Sequence, residues 1–563
     1  MRTPPPPGPE AQDITVDLLV VGSGTGMAAA LAAHERGLTS LVIEKTALVG
    51  GSTARSGGAF WVPGNPALAG ADDSLQRAAT YLDAVVGDDA PARRRAAFLA
   101  NGADAVKLLE RTTPMRFFWA KGYADYHPEE PGGAALGRTC ECEPFDLKQL
   151  GDELARFRPG VLEAPVPVPV TGADYKWFNL MRRLPLKALP VIIKRVFQGL
   201  LGLLRGQRLA AGGQALAAGL FTGLVRARIP VWTGARLVEL RREGERVTGA
   251  VVEQHGRRVT VTARRGVVLA AGGFDHDMSM RHAYQSPALV DHASLGSEGN
   301  TGDAIKLGEE AGGALTLMTE SWWFPAVAPF GSQTPQVLLA ERSLPGSLMV
   351  DEQGKRFINE ATDYMTFGQS LLARERAGRP VKQMWLVFDQ RYRNGYMLAG
   401  LIMPGMPLPR AWFDGGIAFA GKTAGELARA AGLPERDLEA TLARFNQQAA
   451  AGRDEDFHRG ESAYDRYYGD PSIGPNPNLR ALEGRLYAVK VVLSDLGTCG
   501  GLTADEHGCV LRADGRPIEG LYALGNTAGN VFGRTYPGAG GTIGQGLVYG
   551  YIVARHAAER AAP

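Results

Sequence analysis

The chain has 563 residues, several times the usual domain length, so two or three packed units are expected and core size sets no limit on folding. Its 61 Lys and Arg are nearly balanced by 59 Asp and Glu, which leaves no overall field that would gather nucleic acid. The four cysteines, Cys140, Cys142, Cys499 and Cys509, form no C-x-x-C pair and no ligand ladder, so zinc, iron–sulfur and a disulfide framework are disfavoured and no metal is expected.

Residues 1–13 are rich in proline and lack the basic-then-apolar order of an export signal. They read as a disordered leader, and a reducing cytoplasm is the expected location. The run Val16-Asp17-Leu18-Leu19-Val20-Val21 is short and apolar enough for a buried parallel strand. Gly22-Ser23-Gly24-Thr25-Gly26 follows it, then an alanine-rich helical stretch to Arg36. A second strand, Leu41-Val42-Ile43, ends at Glu44, about 20 residues beyond the glycines, which is the spacing of a dinucleotide site. Such glycines let backbone N–H groups approach a pyrophosphate at a helix N-terminus. Glu44 can accept hydrogen bonds from ribose hydroxyls and would repel a 2′-phosphate, so NADP is disfavoured while NAD and FAD stay open.

Residues 73–110 look helical. Residues 174–208 are basic, apolar and interrupted by proline, and no Asp or Glu occurs from Tyr175 to Val238. The longest uncharged apolar segment there, residues 196–204, is far below the ~20 residues a spanning helix needs. Leucine, isoleucine, valine and phenylalanine alternate with cations, the pattern of an interfacial amphipathic segment with basic heads toward anionic lipid. The plainer alternative is a helical pair packed on the domain or at a subunit interface. Strands return over residues 231–271, with a hairpin turn at His255-Gly256.

A second glycine- and hydroxyl-rich loop, residues 50–58, is unnecessary for NAD and suits a longer flavin cofactor. Ala270-Ala271-Gly272-Gly273 ends a mid-chain strand, and residues 520–529 end another near the C-terminus. These four segments together resemble the flavoprotein superfamily that includes fumarate reductase and succinate dehydrogenase. FAD is therefore the expected cofactor. The expected contacts are Gly22, Ser23, Gly24, Thr25, Gly26, Glu44, Lys45, Thr46, Gly51, Ser52, Thr53, Ser56, Gly57, Gly58, Ala271, Gly272, Asn300, Asp303, Gly525, Asn526 and Ile543. No second strand-linked glycine motif with a following acid is found, so electrons are expected to leave to a quinone-like acceptor or an electron-transfer protein rather than to NAD.

Fumarate-type members need a dense set of Arg and His to hold a dicarboxylate. Residues 274–470 supply instead Trp322-Trp323-Phe324-Pro325, Tyr364, Phe367, Tyr392, Tyr396, Trp412 and Phe413, which implies an apolar substrate. Most of these rings, taken singly, read as core. The runs Leu493-Ser494-Asp495-Leu496-Gly497-Thr498, Tyr536-Pro537-Gly538-Ala539-Gly540 and Asn359-Glu360-Ala361-Thr362-Asp363-Tyr364, with Asp125-Tyr126 before Gly137-Arg138, closely resemble 3-ketosteroid Δ1-dehydrogenases from Asp17 to the chain's end. What that resemblance implies is removal of two hydrogens from ring A of a 3-ketosteroid, with a sterol such as cholest-4-en-3-one among the candidates. Tyr364 would take a proton from C2 while hydride passes from C1 to the flavin, and Tyr126 would assist Tyr364. The Tyr536 hydroxyl and Gly540 N–H would polarise the C3 ketone. Cys499 is given no catalytic role.

The expected fold is α/β. A discontinuous Rossmann-like FAD domain comprises residues 14–273 and 471–563, re-entered near Leu486. Residues 274–470 form an α+β substrate-capping domain, and the active site lies between the two. The alternatives are dehydrogenation at C4–C5 of a saturated 3-ketosteroid, a fumarate-like reductase, and a non-catalytic steroid carrier at the membrane surface.

Overall fold

The computed structural model describes residues 13–71, 73–160, 168–291, 293–330, 335–400 and 402–560. Apart from Asp13, the expected leader lies outside them. The strand Ile14–Val21 lies at the centre of an eight-stranded sheet, where it pairs in parallel with Ser40–Ile43 on one side and Arg257–Leu269 on the other. Leu18 and Val20 are fully buried beneath the helices Gly26–Glu35 and Gly541–Glu559 on one face, and Leu19 beneath the strands Ala235–Glu243 and Arg246–Gln254 on the other. The first helix, Gly26–Glu35, carries alanine at 28, 29, 30, 32 and 33, so the last long helix, Gly541–Glu559, can approach its backbone closely at Gly550. The expected hairpin is present: His255 and Gly256 both take positive φ between Arg246–Gln254 and Arg257–Leu269, as a tight right-twisted turn requires.

The expected helical stretch 73–110 is two helices, Leu75–Val86 and Ala92–Thr112, parted by Gly87 in a positive-φ turn and by Pro91 at the second N-cap. The basic stretch is likewise two helices, Gly172–Asn179 and Pro185–Leu204.

The second sheet requires a correction. Leu486–Thr498 does not return the chain to the first unit: it pairs with Ser321–Val327, Met384–Asp389 and Ala418–Gly421, at the centre of the six-stranded sheet. The first sheet regains the chain only at Cys509–Leu511 and Pro517–Ala523. An apolar strand declares its period but not its partner, so residues 471–498 read equally well as part of either unit.

Beneath the second sheet lies a buried ion network. The Glu360 carboxylate accepts from Arg356 at 2.7 and 2.8 Å, from Arg459 at 3.3 Å and from the Met349 N–H at 3.1 Å. Arg356 also grips Asp454 at 2.7 and 2.9 Å. Burial alone would raise the Glu360 pKa, but the two guanidiniums outweigh it and hold the carboxyl below its usual range. A depressed acid contributes its stability above the unfolded pKa, about 4.3, and loses it as pH falls below that value. Glu360→Gln should therefore destabilise the protein by about 3–5 kcal/mol at neutral pH, because it leaves Arg459 buried without its counter-charge. The same substitution should shrink the acid-side loss of stability, both effects being read from denaturant unfolding as a function of pH.

Candidate active site

A cavity of about 1630 Å³ runs between the two sheets. One end is lined by Gly22, Ser23, Gly24, Thr25, Glu44, Lys45, Gly51, Ser52, Thr53, Ser56, Gly57, Gly58, Ala271, Gly272, Asn300, Asp303, Gly525, Asn526 and Ile543. Gly22 has φ +112°, and a Cβ there would lie 2.2 Å from the Ala270 carbonyl oxygen, so the turn tolerates no side chain. Glu44 is buried, accepts from Ser23 Oγ at 2.6 Å and from Thr46 N at 2.9 Å, and is thereby fixed at the cavity wall. Lys45 reaches across to Asp303 at 2.9 Å, which ties the early glycine unit to the loop carrying Asn300.

Two expected contacts do not line this cavity. Gly26 packs inward, where a Cβ would meet Ala270 and Val20, so it is glycine for helix–strand packing. Thr46 supports Glu44 through its N–H and hydroxyl and accepts from Arg158 at 2.8 Å. The sequence reading also passed over Ala210-Ala211-Gly212-Gly213, which lines the cavity against residues 56–58; a Cβ on Gly58 would strike the backbone of Gly212 at 2.1 Å. Its likeness to Ala270-Ala271-Gly272-Gly273 was the available signal.

At the other end Tyr364 and Tyr536 line the cavity, while Tyr126 packs behind them and does not. The Tyr126 and Tyr364 hydroxyls are hydrogen-bonded to each other, and the Tyr536 ring lies 5.1 Å from Tyr126 and 5.8 Å from Tyr364. All three are buried. Tyr364 starts the helix Tyr364–Arg376, which Asp363 caps by accepting from Thr366 N. Burial, reinforced by neighbouring tyrosines, pushes the Tyr364 pKa well above that of a free phenol. Burial also raises Tyr536, while the Thr542 hydroxyl and the Gly540 and Thr542 N–H groups pull it down. Thr542, whose hydroxyl donates to Tyr536 at 3.3 Å, went unnoticed in the sequence, which offers no signal for it.

Each motif run has a structural task. Glu360 anchors the loop that leads to Tyr364, and Asp125 pairs with Arg138 and accepts from Trp61 Nε1 at 2.9 Å. Burial pushes the Asp125 carboxyl up to about 6 despite Arg138. Gly540 has φ +93°, and a Cβ would lie 2.4 Å from the Ala59–Phe60 backbone. Glycine there is required by the packing of this turn on the Ala59–Phe60 backbone. Among the aromatic rings, Phe324 and Tyr364 line the cavity; Phe367, Tyr392, Tyr396 and Trp412 are buried in the core of the second unit. Cys499 is buried, its thiol pKa pushed up by that burial.

A long cavity walled by three glycine turns and a fixed buried carboxylate at one end fits a dinucleotide-sized flavin, and its other end presents an apolar chamber faced by the Tyr364 and Tyr536 phenols. The sequence matches the family described as FAD binding domain over residues 17–543. The protein is an FAD-binding oxidoreductase. It is 42% identical to the 3-oxosteroid 1-dehydrogenase of Mycobacterium tuberculosis, covering 97% of this chain and 98% of that one, and equally identical to its Mycolicibacterium smegmatis counterpart over the same shares. A crystal structure of 3-ketosteroid Δ1-dehydrogenase from Sterolibacterium denitrificans, in complex with 1,4-androstadiene-3,17-dione, superposes with a TM-score of 0.91 at 36% identity, covering 97% of this chain and 99% of that one. The chain belongs to the 3-oxosteroid 1-dehydrogenase family.

Gly22→Ala should fold but lose its flavin. A colourless purified protein with unchanged far-ultraviolet circular dichroism is the expected result.

Proposed function

We propose that this enzyme dehydrogenates 3-oxo-4-ene steroids at C1–C2, with Tyr364 as base, Tyr126 as its hydrogen-bond partner, and Tyr536 with the Gly540 N–H as donors to the C3 oxygen. The observation that carries the reading is that Tyr364, Tyr536 and Gly540 line the apolar end of a cavity whose other end is shaped for FAD, with the Tyr126 hydroxyl bonded to that of Tyr364 from behind the wall. Bound FAD supplies the acceptor for the C1 hydrogen and its electron pair. The C2 hydrogen becomes acidic only as charge builds on the C3 oxygen, so the two donors there act as an oxyanion hole. A phenol that burial holds above the usual range is a weak base by itself. Polarisation of the ketone and the hydrogen bond from Tyr126 favour its phenolate at the moment of transfer.

Tyr536→Phe should lower kcat by roughly two orders of magnitude through the loss of one donor. Anaerobic mixing with a 4-en-3-one measures this as slower flavin bleaching; near-normal bleaching would refute the role, and none in the unmodified protein would favour a carrier. Because the base acts deprotonated and its pKa is pushed up, kcat should climb from neutral into alkaline pH. In Tyr126→Phe that climb should move to higher pH.

We also place the helix Pro185–Leu204 at a lipid surface. Leu186, Ile193, Phe197 and Leu204 are 89%, 61%, 64% and 85% exposed, and Lys187 and Lys194 stand beside them. Not every cation points outward, as the alternating pattern had implied: Arg195 is buried against Asp174 at 2.6 Å and Arg183 pairs with Asp470 at 2.9 Å. Among the described residues no helix is long and apolar enough to cross a membrane. Val196 and Leu203 of this helix also line the main cavity, which supports entry of a lipid-borne sterol with its side chain in place. It also supports a quinone-like acceptor or an electron-transfer protein at the same surface. Ile193→Asp with Phe197→Asp should abolish co-flotation with phosphatidylglycerol vesicles while leaving turnover of a short, dispersed 3-ketosteroid intact.

A further inference from the structure

Each turnover of the proposed reaction delivers a proton into a site with almost no contact with water: Tyr126, Tyr364 and Tyr536 are 3%, 5% and 6% exposed. A second cavity, of about 240 Å³, lies behind the tyrosines, and Tyr536 borders both it and the main cavity. Its lining includes His127 and Asp363, the chain neighbours of Tyr126 and Tyr364, together with Glu130 and Arg534, which are exposed. Asp363 sits deep, at 2% exposure, while Glu130 and Arg534 meet solvent. The space therefore runs from Tyr536 to the surface, with His127, Asp363, Thr366, Gln369 and Glu130 among its walls.

We propose that this second cavity is the proton exit, with His127 and Asp363 as the positioning residues that pass the proton from the tyrosine pair to solvent. The inference rests on the reading of Tyr364 as the base. In balance, the C1–H and C2–H bonds break and a C1–C2 double bond forms. The C1 hydrogen leaves with its electron pair to FAD; the C2 hydrogen leaves as a proton to the Tyr364 phenolate, and from the resulting phenol through the tyrosine cluster, whose Tyr536 borders the second cavity, to water. The separation keeps the steroid chamber dry while the proton escapes. Asp363 has a structural task as well, since one of its oxygens caps the helix Tyr364–Arg376. Asparagine preserves such a cap, so Asp363→Asn separates the two roles.

The test follows proton appearance with an indicator dye, and flavin bleaching in parallel, after anaerobic mixing of the FAD-loaded enzyme with a 4-en-3-one. Asp363→Asn and His127→Ala should each slow proton appearance about tenfold, the low end of what one positioned acid–base group supplies, without raising KM. Added imidazole should restore the rate in His127→Ala. Ala84→Trp, which fills the cavity near its mouth, should slow proton appearance too, and combined with His127→Ala should block the rescue. A dye signal that keeps its unmodified rate in both Asp363→Asn and Ala84→Trp overturns the exit. Failure of the unmodified protein to bleach at all would instead remove the parent reading of Tyr364.

Discussion

The site depends on one turn, residues 536–541, which ends in a left-handed glycine and is held by both sides of the molecule. The Gly540 carbonyl accepts from Trp61 N at 3.1 Å and the Ala539 carbonyl from the Thr139 hydroxyl at 3.0 Å, which press the turn onto the flavin loop. The Pro537 carbonyl accepts from Tyr81 at 2.7 Å and from the Tyr126 N–H at 3.1 Å. A single segment thus sets the Tyr536 hydroxyl, the Gly540 N–H, the backbone of Tyr126 and the start of the last helix. Its geometry cannot relax at one point without moving all four, because a Cβ at Gly540 would have to occupy the space of the Ala59–Phe60 backbone.

Burial explains the choice of phenols at this place. A lone carboxylate or imidazolium in so dry a chamber would carry a large desolvation cost, whereas a phenol rests neutral and is charged only in passing. Three of the carboxylates near the chamber are tied to a guanidinium: Asp125 to Arg138, Asp495 to Arg281, Glu360 to Arg356. These pairs stiffen the loops that carry the tyrosines while adding little net charge to the field around the reacting carbon.

How far the sequence could be read follows from the range of each signal. The strand–glycine–helix–strand–acid unit is local, spans some thirty residues, and was legible because every part of it constrains the next. The tyrosine motifs were legible only through resemblance, since nothing in a lone tyrosine tells base from core. Long-range partnerships were illegible: the membership of Leu486–Thr498 in the second sheet, the packing role of Gly26, and the Thr542 hydroxyl beneath Tyr536 are decided by residues hundreds of positions away or by a helix start with no fixed signature. The glycines at 212 and 213 fall between these cases, because their repeat of the 272–273 pattern was visible while their contact with Gly58 was not.

The helix Pro185–Leu204 shows how charge and apolar surface divide the work of placing an element. Fully burying a large aliphatic or aromatic side chain is worth about 1.5–3 kcal/mol, so the row from Leu186 to Leu204 facing water forgoes a substantial gain. Such a row persists when another surface supplies the burial. Arg195 ties the helix to Asp174 on the neighbouring helix Gly172–Asn179, and Arg183, in the turn before it, pairs with Asp470, so the apolar face of the helix is held outward rather than free to fold back. With Val196 and Leu203 lining the cavity, the same helix can be at once a wall of the substrate chamber and the surface that meets lipid.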